Sequence, residues 1–132
     1  MKLKRSVVWA IMLVATAGCS TLAPLSPEQV VADRAQQRVD FLMAGEHERS
    51  YEFTTPGYRS TENPGQYGTR WAGTGMWLGA SVHSVDCIGE APEVCKVVLD
   101  VSYRATQFGT QNTKLSEEWV RIGGEWYFVQ KF

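Results

Sequence analysis

The stretch Glu117-Glu-Trp-Val-Arg-Ile-Gly-Gly-Glu-Trp-Tyr-Phe-Val-Gln-Lys-Phe132 decides the architecture. Apolar and polar residues alternate on both sides of Gly123-Gly124, a pair that tolerates positive φ and suits a two-residue hairpin turn. With that pair as the loop, Ile122 faces Glu125, Arg121 faces Trp126 and Trp119 faces Phe128. Leu115, Glu117, Trp119, Arg121, Trp126, Phe128, Gln130 and Phe132 then share one face.

The period of two extends back to Trp77 and predicts strands over residues 77–87, 94–107, 113–122 and 125–132. It is clearest where Val97, Leu99, Val101 and Tyr103 alternate with Lys96, Asp100, Ser102 and Arg104, which assigns a buried face and a wet one. Between the first two strands, Cys87 and Cys95 flank a turn-rich loop, so an even pair of thiols in an oxidising compartment reads as a disulfide clamping a hairpin. The rivals are a redox pair or a metal site with His83. No Cys-x-x-Cys occurs, and a His/Cys/Cys set without a fourth ligand argues weakly for zinc. If Cys87 lies opposite Cys95, Val85 faces Val97, and His83 faces Leu99 and points inward; a single bulge reverses this.

Upstream the period changes. Ser26-Pro27-Glu28-Gln29 supplies an N-cap, a proline at the first helical position and a capping-box glutamine. Val31, Ala35, Val39, Leu42 and Met43 continue as an apolar stripe to Gly45, with Asp33, Arg34, Gln37 and Asp40 off it. A second short helix is expected over 46–53, with His47 solvated at the turn that follows the first helix. Prolines and glycines between Tyr58 and Gly75 predict loops with one helical turn, and Trp71 plugs the core edge. Helices followed by strands make this an α+β chain in which N-terminal helices pack on a four-stranded antiparallel sheet.

The amino terminus addresses the protein. A cationic start, Met1 to Arg5, precedes an apolar run from Ser6 to Ala17, the layout of a secretory signal. Twelve residues are too few to span a bilayer core of about 30 Å comfortably. Lys2, Lys4 and Arg5 belong to this leader, so the remaining chain carries ten basic and fourteen acidic groups. That acidic domain has no basic stripe, which argues against nucleic-acid binding.

Thr16-Ala17-Gly18-Cys19 resembles the lipobox of bacterial lipoproteins. The resemblance implies cleavage after Gly18, lipidation of Cys19 and a tether over residues 19–25 ahead of a single domain over 26–132. With Ser20 in place of aspartate, it further implies the periplasmic face of an outer membrane. The capped Ser-Pro-Glu, the segment from Ala44 to Ser60 and the strand-turn-strand ending from Trp119 to Phe128 are similar to the nuclear transport factor two-like superfamily. That likeness implies a strongly bent sheet wrapped as a cone around the first helix.

Chemistry in such a cone needs an acid or base on the concave face. The candidates are His83 or Glu117 for proton transfer, with Tyr103 stabilising an oxyanion and Arg121 and Gln130 nearby; Glu117 is also expected to pair with Arg121. Trp71, Trp77, Trp119 and Trp126 are expected as core staples. No nucleophile elbow, phosphate loop or metal triad is present, so no cofactor or metal is expected. These features lead to the expectation of a non-enzymatic envelope lipoprotein contacting a protein, peptidoglycan or a small apolar ligand. The alternatives are an accessory subunit of an envelope complex and an isomerase- or dehydratase-like enzyme.

Overall fold

The computed structural model describes Gly18, Cys19 and residues 22–131. The leader through Ala17, Ser20, Thr21 and Phe132 lie outside the described residues, and with them the expectations placed there.

Helix α1 (Pro27–Met43) starts as its sequence dictates: the Ser26 side chain accepts from the Gln29 backbone, and the Gln29 side chain accepts from the Ser26 backbone. It ends at Ala44, and Gly45 follows with φ of 73°. Helix α2 (His47–Tyr51) is shorter than expected. The Pro/Gly-rich middle corrects the loop expectation. It forms α3 (Pro56–Thr61), α4 (Pro64–Arg70) and a 3₁₀ turn (Ala72–Met76). Pro56 and Pro64 sit in the first turns of α3 and α4, where a missing N–H costs nothing, and Thr55 and Asn63 cap them.

Four strands follow as an antiparallel meander in the order β1 (Trp77–Cys87), β2 (Val94–Ala105), β3 (Gly109–Ile122) and β4 (Glu125–Phe128). Gly123 and Gly124 both have positive φ, and the register Ile122↔Glu125, Arg121↔Trp126, Trp119↔Phe128 is the one the two-residue loop requires. β2 ends two residues earlier than expected, β3 begins four residues earlier, and β4 stops at Phe128. β2 and β3 pair without a register shift from Val94↔Val120 to Ala105↔Gly109. β1 is irregular, with shifts between Trp77 and Gly79 and between Val82 and Ser84.

The main core joins Val31, Ala35 and Val39 of α1 to Val97, Leu99 and Val101 of β2 and to Trp119, Trp126 and Phe128. A smaller cluster of Leu42, Tyr51, Tyr58 and Tyr67 lies under the short helices, and Trp71 packs against both. The tryptophans are therefore structural as expected: Trp119 and Trp126 are buried, and Trp71 and Trp77 are packed at the core margin.

Each border of the sheet is finished differently. On β1, the Gln36 side-chain amide donates to the Ala80 carbonyl at 3.2 Å and accepts from Val82 N–H at 2.9 Å, so one residue of α1 stands in for a missing strand. On β4, Arg34 Nε donates to the Trp126 carbonyl at 2.8 Å, and Phe128 N–H donates to the Phe53 carbonyl beside a Thr54↔Phe128 bridge. β3 runs well past the end of β4 and, among the described residues, has no strand there on its outer side.

Candidate functional site

The stripe of α1 carries one residue that does not belong to a greasy face. Arg38 falls between Ala35 and Leu42 and is fully buried. A charge in that position needs a counter-charge, because transferring a bare ion from water to the interior is prohibitively costly. Glu117 supplies it from β3: Arg38 Nη1 donates to Glu117 Oε1 at 2.5 Å, and Trp119 Nε1 donates to Oε2 at 3.0 Å. Both carboxylate oxygens are thus occupied. The Arg38 guanidinium lies 3.6 Å from the ring centroid of Phe128 and 4.4 Å from that of Trp71, an arrangement in which ring faces meet the cation. Its Nε and Nη2 make no hydrogen bond.

A second buried pair adjoins it, with the Tyr67 and Ser50 hydroxyls sharing a hydrogen bond of 2.7 Å. Burial raises the Tyr67 phenol above its ordinary pKa, and the positive charge of Arg38 works against that rise. A small cleft of about 190 Å³ between Trp71, Leu115, Phe128 and Gln130 reaches Glu117 from outside. Its rim is fixed by Trp71 Nε1 donating to Gln130 Oε1 at 2.8 Å.

The expected catalytic candidates are not brought together. His83 is corrected: the shift between Val82 and Ser84 puts Val82 opposite Leu99, so the alternation slips and His83 turns outward. There it is half-exposed and lies 2.8 Å from Asp100, which also accepts from Lys114 Nζ at 2.6 Å. The Lys114 hydrogen bond, helped by His83, holds the Asp100 carboxyl below its usual pKa. Tyr103 is half-buried, opposite Trp77 and Gln111. It lies six residues along β2 from Val97, the partner of Glu117, or roughly 20 Å away at strand rise. Arg121 faces Trp126 as expected but is exposed, and the pairing expected for Glu117 with Arg121 is replaced by the one with Arg38.

Cys87 and Cys95 are partners in the β1–β2 register and form the disulfide. Cys19 is exposed and takes no part in a disulfide. Among the described residues, no three His, Cys, Asp or Glu side chains gather to hold a metal, and no helix is long and apolar enough to cross a membrane. The sequence reading missed Arg38. The signal was available, because positions 31, 35, 38 and 42 follow helical spacing, and a charge there demands a partner on the facing sheet.

No family model and no curated protein matches the chain. Solved structures do. A SEC-C motif containing protein from Rhodopseudomonas palustris is similar over 74% of this chain and 73% of its own, with a TM-score of 0.55 and 15% identity. A sec-c motif containing protein from Psychrobacter arcticus is similar over 86% of this chain, with a TM-score of 0.60 and 15% identity. This chain spans about 64% of that second protein. At such identity the likeness is one of fold. It overturns the resemblance to the nuclear transport factor two-like superfamily, since the neighbours are SEC-C motif containing proteins. The lipobox resemblance is likewise without support among them. The physical reason for the first error is plain: a Trp-Val-x-x-Gly-Gly-x-Trp-Tyr-Phe ending specifies a hairpin, and any antiparallel sheet can use one.

Proposed function

We propose that this chain is an exported protein held at a membrane of the cell envelope through Cys19, where its domain has a non-catalytic binding or structural role. The observation that carries the non-catalytic part is the state of Glu117. Its two oxygens are engaged by Arg38 and Trp119, and the groups that would complete a proton-transfer site stand on the opposite face of the sheet or far along it. A general base must reach the proton it removes, and this carboxylate serves as the counter-ion of a core arginine. Export is supported by the Cys87–Cys95 disulfide, a bond that persists in oxidising compartments. The cationic start, the short apolar run and the small residues ahead of Cys19 support the same destination. A bend of the sheet about α1 belongs to this proposal as well; α1 meets β1 through Gln36 and β4 through Arg34.

Mass spectrometry of the protein from its own envelope tests the anchor. A polypeptide beginning at an acylated Cys19 is expected, with Cys19→Ala leaving the membrane fraction. An intact Met1 or a bare thiol at position 19 of the exported form overturns it.

A further inference from the structure

From the contrast among the sheet borders we infer that β3 is a self-association edge, which pairs antiparallel with the same edge of a second copy. This rests on the fold and not on the export reading. Backbone groups of alternate residues on an antiparallel strand point to opposite neighbours. Val129 N–H donates to the Glu118 carbonyl at 2.9 Å, so Glu118 points away from β2. The β2–β3 register is unbroken, and the alternation therefore aims the N–H and C=O of Thr110, Asn112, Lys114 and Ser116 the same way. An unprotected run of this kind is a template for pairing. The usual deterrents are missing: the run has no proline and no bulge, and its one lysine is already engaged by Asp100.

The occupant follows from charge and symmetry. Pairing about a two-fold axis at Asn112 sets Thr110 opposite Lys114 of the other copy and Gln111 opposite Thr113. No like charges meet, and both sides present the same donors and acceptors, as an isologous interface requires. The other two strand edges lack such a border: Gln36 engages Ala80 and Val82 on β1, which also carries two register shifts, and Arg34 and the Phe53 carbonyl engage Trp126 and Phe128 on β4.

The test uses the full chain in detergent micelles, followed by sedimentation velocity over a concentration series. Concentration-dependent dimerisation is expected, and Asn112→Pro, which removes an N–H from the outer border alone, is expected to abolish it while leaving the melting temperature unchanged at concentrations where the parent is monomeric. Should the proline variant fail to fold, the register gives a second reading. Thr110→Glu is expected to tighten association several-fold by facing Lys114 of the other copy, and adding Lys114→Gln is expected to remove that gain. A monomer at up to about a millimolar overturns the inference, since weaker pairing has little meaning. So does a dimer that neither Asn112→Pro nor the Thr110→Glu pair alters.

Discussion

One strand, β3, holds two regions with the same facing and opposite fates. Glu117 and Trp119 point to the same side as Gln111 and Thr113, yet the first two are buried and the last two are in solvent. The difference lies in what stands over them. A helix of 17 residues rises about 25 Å, whereas a strand of 14 residues extends about 47 Å, so α1 can cover only part of the hairpin. Alternation decides which way a side chain faces; the length of the covering layer decides whether that face is dry.

Five variants probe this contrast. Arg38→Ala should have the largest effect, a loss of about 3–5 kcal/mol in urea unfolding, because it leaves Glu117 buried and uncompensated. The paired change Arg38→Met with Glu117→Met should recover most of that loss. If the single variant costs as little as a surface change, the sealed half is not held by this pair. At the same end of the sheet, Cys87→Ala with Cys95→Ala should cost about 2.5 kcal/mol, the loop-closure value for so short a loop, and reductant should bring the parent to the same midpoint.

At the open end, Thr113→Ala should change stability by no more than about 0.5 kcal/mol, as expected of an exposed position. The smallest effect belongs to Asp100. Its carboxyl is held below the usual value, so its contribution is present above the unfolded-state pKa and fades as pH falls through the folded-state one. Melting curves from neutral pH down to about 3 should therefore fall more steeply for the parent than for Asp100→Asn. Parallel curves would mean that the Lys114 contact adds nothing on an exposed face.

How much of this was legible follows from the same physics. The Gly123-Gly124 turn set the register of Trp119 and Phe128, because loop length leaves no freedom in a two-residue hairpin. The Cys87–Cys95 pairing was equally open to reading, since the flanking strands and the short loop left one arrangement. His83 was not, because a bulge inserts a residue without disturbing the visible alternation. The polar start of β3, Gly109 to Lys114, carries no apolar period since neither of its faces is covered, and its strand is evident only from its pairing with β2. The short helices were readable in principle: Asn63-Pro64-Gly65-Gln66 has the same capping-box pattern as Ser26-Pro27-Glu28-Gln29. Abundant glycine and proline obscured it. Among the candidate groups, Glu117 was placed on the correct face, whereas its partner required knowing that the Arg38 side chain of α1 reaches β3.

The Gln36 amide has a consequence for assembly. A protein with one open border can join a single copy and stop, since the union consumes the border on each side. Were β1 open as well, every pair would still offer two ends and growth would run on as a filament; the Gln36 amide on Ala80 and Val82, together with the two register shifts of β1, stands against that second union.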